Sequence, residues 1–469
     1  MESTGLLPIL RQNLEGLGVL SSELILIFGS IVMLIAGVFG LQKKYGVFLY
    51  ALIIVLALVF KTDTIGVFFG GDMEWTDLGN RVQSLLLLVS LSLLLFKSFW
   101  KRKREYYFMV LAILAGSLLM TSARNLLIVF LSIELASLPA YLATAFLFKK
   151  RSYEAALKYL LTGIVNSAVM LYGLSLIYGT TGSLLPEYTA ALTMPALVGW
   201  SLFLVGILFK VSAFPVHFWV PNTYQLAPTE LVAFFSVVPK VGGFVLLMNL
   251  FSPLANDWLH GVLLVAAILS IVVGTFSALQ QEQVKRMLAY GAIAHSGFLL
   301  PLTFIAGSTA QASFLFYTVV YAVMNVAAFY FVSCYEQSGE LKFTGLSGLG
   351  VKSPLTAAAM VVVMIALVGL PPTAGFSIKL LLFSAVWQAY ELTGNYLHLA
   401  FVVVGILSSA VSLFFYLRVP YYCFLVPEVG KRVQAENWRM TSFMLFFALS
   451  LILIFVGPNI FDNFIFSNP

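Results

Sequence analysis

The chain has 469 residues, 61% of them hydrophobic and only 10% charged, with a formal net charge of +6. That balance lies outside the range of soluble globular domains, and the basic excess reads as membrane topology rather than as a nucleic-acid surface. Apolar runs of about 20 residues recur along the whole length, the length a helix needs to cross ~30 Å of hydrocarbon, and the alternating strands of a barrel do not appear. The predicted fold class is all-α, a polytopic membrane protein.

In chain order the runs predict about 14 spans. They lie at 20–40, 46–60, 82–100, 105–122, 125–147, 155–178, 194–215, 229–251, 261–280, 288–306, 311–335, 354–371 continuing to 390, 397–423 and 440–457. Glu2, Arg11 and Glu15 precede a first run too long for a signal core, so the first span is expected to stay in place. Glu23 and Glu230 begin the first and eighth runs, where acids interact favourably with the helix dipole. Cys334 and Cys423 have no paired spacing and read as small apolar fillers.

The loops carry their charge asymmetrically. Lys43-Lys44, Lys101 to Arg104, Lys149 to Arg151, Lys285-Arg286, Lys342 with Lys352, and Lys431-Arg432 occupy alternate loops, while Asp63, Asp72, Glu74, Asp77, Glu187 and Asp257 fill the intervening ones. By the positive-inside rule the basic loops are cytoplasmic, and an even span count puts both termini on the outer face of the membrane.

Four basic residues belong to no loop: Lys158, Lys210, Lys240 and Lys379, with Glu134 as an acid inside the fifth run. A lysine at a helix centre costs at least about 2.5–3.5 kcal/mol in a bilayer. Snorkelling covers Lys158, about one turn into its run, where Glu154 also stands four residues before it as a helix-surface ion partner; it is a poor account of Lys210 and Lys240. Desolvation favours the neutral form of a lysine and a nearby carboxylate favours the charged form, so alternating the two makes a proton switch. The competing reading is a set of static ion pairs that fasten helices together.

Two runs are interrupted, at Val211 to Pro215 just after Lys210 and at Gly369-Leu370-Pro371-Pro372-Thr373-Ala374-Gly375 just before Lys379. Proline frees backbone groups, which is tolerated at membrane depth only where protein or water satisfies them. Broken helices at corresponding places in two halves point to inverted repeats along an ion path. His217 and His295 are placed to relay protons between water and the buried lysines, with a hydrogen-bonded packing histidine as the competing reading of each. No Gly-rich loop ending in Lys-Ser/Thr, cysteine cluster or spaced histidine pair appears, so no cofactor or metal is expected in this chain.

Four segments together resemble the antiporter-like membrane subunits of respiratory complex I, the proton-pumping NADH:quinone oxidoreductase. They are Ile133-Glu134-x4-Pro139; Phe209-Lys210-x4-Pro215-x-His217-x-Trp219-x-Pro221 with Ala227-Pro228-Thr229; Ala289-Tyr290-x3-Ala294-His295-Ser296-Gly297; and Gly369 to Phe376 leading to Lys379. Tyr224-Gln225 and the lysine at 379 are similar to the N-type members. The resemblance implies two inverted five-helix repeats, 105–251 (helices 4–8) and 252–423 (helices 9–13), each with a broken helix (7 and 12), preceded by helices 1–3 (1–104) and followed by helix 14 (424–469).

It also implies roles: Glu134, Lys210, Lys240 and Lys379 as proton carriers, with Lys158 and His295 at further charged positions of the family. FMN, iron-sulfur clusters and quinone would sit in partner subunits, and the partners would be other membrane subunits, antiporter-like ones included, in the lipid bilayer. A ferredoxin-driven relative or a multisubunit sodium/proton antiporter would share these lysines, and a non-pumping scaffold is the alternative of another class. Asn222 stands where the family usually has aspartate, and Pro239 directly precedes Lys240.

Overall fold

The computed structural model describes residues 16–39, 43–186, 192–254, 256–305, 307–336, 340–427 and 438–457. Glu2, Arg11, Glu15, Glu187, Lys431 and Arg432 lie outside the described residues. The apolar runs fall on helices: α1 Ser21–Val38, α2 Lys43–Val59, α3 Asp77–Ser92, α4 Arg104–Ser122, α5 Leu126–Thr144, α6 Lys150–Thr181, α7 Met194–Lys210, α8 Trp219–Leu226, α9 Thr229–Phe251, α10 Asp257–Leu279, α11 Val284–Leu299, α12 Ser308–Tyr335, α13 Pro354–Val368, α14 Ala374–Thr393, α15 Tyr396–Tyr416, α16 Arg418–Phe424 and α17 Trp438–Val456. Among the described residues ten helical segments are long and apolar enough to cross a membrane, and three shorter apolar helices accompany them. The protein is therefore a multi-pass membrane protein built on helices, whose internal hydrogen bonding is what hydrocarbon demands.

Side-chain caps mark where several helices begin. Thr76 accepts from the Gly79 amide ahead of α3, Asn125 from Leu127 ahead of α5, Asn256 from Leu259 ahead of α10, and Asn395 from Leu397 ahead of α15. Each satisfies an amide that the first turn leaves without an intrahelical partner. The seventh run stops at Lys210 and resumes as the short α8; the twelfth stops at Val368, capped by left-handed Gly369, and resumes at Ala374. Pro239, by contrast, lies inside a helix that continues to Phe251.

The chain divides into two compact units. The first contains residues 1–148, 156–211 and 238–255, and within it α4 packs on α1 and α5 and is buried over most of its length. The second contains 149–155, 212–237 and 256–469, with α10 packed on α11 and α15, and α13 on α17.

The acidic loop after α2 is not irregular. Strands β1 Gly66–Phe68 and β2 Met73–Trp75 form an antiparallel hairpin in which Gly66 faces Trp75. The hairpin is anchored to the start of α5: the Asp72 carbonyl accepts from the Arg124 and Asn125 amides, and the Asn125 side chain donates to Asp72 Oδ1 at 2.8 Å. Trp75 is 2% exposed and meets Phe68 edge-on at 5.7 Å. Trp75→Ala should lower the thermal stability of the solubilised protein by about 3–5 kcal/mol, the usual cost of truncating a buried tryptophan, with helical circular dichroism retained at low temperature.

Candidate functional site

In the first unit, Lys210 is the last residue of α7 and is 4% exposed. Its ammonium donates to Ser137 Oγ at 3.1 Å, and that hydroxyl donates onward to the Ile133 carbonyl. Ser137 stands one turn beyond Glu134 on α5, so the lysine reaches the neighbourhood of the acid through a neutral hydroxyl. Glu134 itself accepts from Ser167 on α6. Among the described residues the Glu134 carboxylate and the Lys210 ammonium form no ion pair; they act on each other through space.

Lys240 is 1% exposed in α9. Its neighbour one turn on, Gly243, has no room for a side chain, since a Cβ there would lie 2.9 Å from Val211 Cγ1 and 3.6 Å from Lys210 Cγ. The close approach brings the helix face carrying Lys240 against the Lys210 stem. Lys158 is placed differently: it is exposed on α6, beside exposed Leu157 and Leu161. Its exposed side chain leaves Lys158 outside the set of buried charges, which the snorkelling account allows.

In the second unit, the break after α7 is held by Ser270 of α10, whose hydroxyl accepts from the Phe214 amide at 2.8 Å. His217 is 3% exposed, stacks on Phe214, and has an Nδ1 without a hydrogen-bond partner among the described residues. His295 on α11 is equally buried, and its Nδ1 lies 2.7 Å from Tyr317 Oη. Tyr321 stands 5.2 Å from the imidazole, and Tyr317, Tyr224 and Tyr416 all act electrostatically on Tyr321. This buried phenol cluster around His295 leaves no mark in a sequence where tyrosine also serves as apolar filler.

Lys379 is folded back into the second break. It is 5% exposed, and its ammonium donates to the Val368 carbonyl at 2.6 Å and to Ser409 Oγ at 3.0 Å. Val368 ends α13, so the ammonium sits at the negative end of a helix dipole. It also lies 4.9 Å from the centroid of the Phe298 ring, one turn beyond His295 on α11. Gly369 is required here twice over: its φ is +87°, and a Cβ would lie 2.6 Å from Lys379 Cδ.

A fourth buried lysine went unread in the sequence. Lys285, grouped there with a basic loop, is 2% exposed and donates to the Ala227 carbonyl, Thr229 Oγ1 and Glu336 Oε1 at 3.0, 3.1 and 3.0 Å. Thr229 Oγ1 also donates to the other Glu336 oxygen. The pair joins the end of α12 to the chain between α8 and α9. Its place beside Arg286 at the end of an apolar run hid it.

A model of the NADH:quinone oxidoreductase/Mrp antiporter transmembrane family matches residues 123–408, which hold all seven candidate residues. The chain belongs to that family. Subunit N of the NADH-quinone oxidoreductase of Trichlorobacter lovleyi is 39% identical over 362 residues, 73% of this chain and 72% of that one. A chain of respiratory complex I from Thermus thermophilus, solved with bound aureothin, has 29% identity and a TM-score of 0.81 over 94% of this chain and 98% of its own. A chain of the Mrp complex from Dietzia, at 18% identity and a TM-score of 0.73 over 97% and 93%, shares the fold.

Within this member of the family, two kinds of lysine are distinguishable by their partners. Lys210 and Lys379 bond to neutral oxygens, whereas Lys285 bonds to a carboxylate as well. Lys285→Met should cost about 3–5 kcal/mol of thermal stability, as breaking a buried pair does. Combining it with Glu336→Leu should recover most of that loss, which a double-mutant cycle of melting curves will read.

Proposed function

We propose that the chain is the N-type proton-translocating membrane subunit of NADH:quinone oxidoreductase, moving protons through buried side chains while quinone is reduced in neighbouring subunits. Glu134, Lys210, Lys240 and Lys379 carry the protons in this reading, and His295 with Tyr317 is a relay candidate of the second unit. His217 relays protons at the first break, and Lys158 is a further relay candidate on the exposed face of α6. FMN, iron-sulfur clusters and quinone belong to the partner subunits. The chain has about 14 spans, arranged as inverted repeats over 105–251 and 252–423, and both termini face outward from a bacterial plasma membrane, in accord with the segregation of basic and acidic loops.

The observation that carries the reading is the chemistry of the partners of Lys210 and Lys379. A lysine that merely locks helices is best served by a carboxylate, which holds it charged. A serine hydroxyl accepts from an ammonium, as Ser137 and Ser409 do here, and donates to a neutral amine once its one hydrogen turns away from the Ile133 or Gly405 carbonyl that now takes it, so in this reading both residues serve both protonation states. In this reading an approaching or departing charge decides which protonation state holds.

The relative in Trichlorobacter lovleyi and the likeness to complex I favour an NADH-driven complex over a sodium/proton antiporter, since the Mrp likeness extends only to the fold. Lys210→Ala should give a complex that assembles with normal subunit content and flavin but pumps protons at least several-fold more slowly, measured by dye quenching in membrane vesicles energised with NADH. Normal assembly with normal pumping would overturn the reading in favour of a scaffold.

A further inference from the structure

A buried carboxyl lies outside the residues that the family model matches and outside the path described above. Glu23, in the first turn of α1, is fully buried. A helix-start acid serving the dipole alone would remain at the aqueous end. Instead its Oε1 accepts from Gln83 Nε2 on α3 at 2.9 Å, and the same nitrogen lies 3.0 Å from Thr121 Oγ1 on α4. Asn249 on α9 donates to the Thr121 carbonyl at 2.9 Å. A polar layer thus crosses four helices of the first unit and ends on the helix that carries Lys240, nine residues or about 14 Å further in along its axis.

Toward the acidic loop the layer is open-ended. Glu23 Oε2, Asn80 Oδ1 and Thr62 Oγ1 are buried acceptors without a hydrogen-bond partner among the described residues. Asn80 is one turn from Gln83 and is tied by its Nδ2 to the Thr64 carbonyl, which brings these groups to the loop after α2. There Lys61, whose side chain is 6% exposed and whose charge acts on Glu23, pairs with Asp63, which is 85% exposed. Apolar packing gives no reason for an ionisable group with an unfilled acceptor at this depth.

We propose that Glu23 is a proton-carrying residue at the acidic-loop end of the first unit. It takes a proton from the α9 side as the carboxylic acid and gives it up toward Lys61 and Asp63. Gln83 is a positioning residue that holds the carboxylate in line with Thr121. This inference rests on the pump reading above.

The test separates carrying from packing by reversing the order of two variants. Glu23→Gln keeps shape and hydrogen bonds but cannot ionise; Glu23→Asp loses a methylene but keeps the acid. In assembled complex reconstituted in proteoliposomes, the NADH-driven pumping rate should fall several-fold in Glu23→Gln and be restored in large part by Glu23→Asp. A glutamine variant that pumps as well as the parent overturns the proposal, as does an aspartate variant worse than the glutamine one. Should Glu23→Gln fail to assemble, Gln83→Met, which keeps the volume and removes only the bridging amide, should show the same loss, and normal pumping there overturns it equally. Lys240→Met measured alongside keeps the two readings apart: lost pumping in that variant with normal pumping in Glu23→Gln removes this branch alone, and normal pumping in both removes the pump.

Discussion

Everything in this protein turns on the cost of keeping an amine where water is scarce. A helix that stops inside the membrane leaves carbonyls without donors, and a lysine in the same place lacks acceptors. The chain lets each deficiency answer the other. Lys379 donates to the carbonyl that ends α13, and Lys210 closes α7 beside the hydroxyl of Ser137. The breaks are therefore as much a requirement of the lysines as a consequence of Pro215, Pro371 and Pro372. Gly369 and Gly243 supply the clearance, one by a left-handed backbone and one by the absence of a side chain.

Neutral partners give these sites a property that ion pairs lack. A buried pair such as Lys285 with Glu336 is deep in a well, because losing either charge strands the other. A lysine held by hydroxyl and carbonyl groups strands no partner charge when it loses its proton, and in the proposed reading a nearby carboxylate that does not bind it, such as Glu134, tips the balance. Burial alone does not separate the two classes, since all of these lysines are within a few per cent of full burial; the identity of the partner does.

Much of the fold was legible in the sequence because a membrane span is a local property. The run read at 229–251 coincides with α9, and both breaks fall where proline and glycine announced them. The hairpin at 66–75 escaped notice because two three-residue strands are too short for alternation to register. The candidate site was legible only by charge. Hydropathy marked Lys210, Lys240 and Lys379 as misplaced and left Lys158 to snorkelling, but it took Lys285 for a loop residue, since a window average carries no information about which face of a helix points inward. The hydroxyls that decide the chemistry, Ser137, Ser167, Ser270 and Ser409, are distributed like any small residue in a membrane helix, and their pairing is non-local.

The claim that these lysines change protonation during turnover is tested most directly by infrared difference spectroscopy on the assembled complex, with nitrogen-isotope-labelled lysine, before and after addition of NADH. The account predicts isotope-sensitive ammonium bands that respond to turnover and lose intensity in the difference spectrum of Lys240→Met. A spectrum without any lysine contribution, or one unchanged by that substitution, would contradict it.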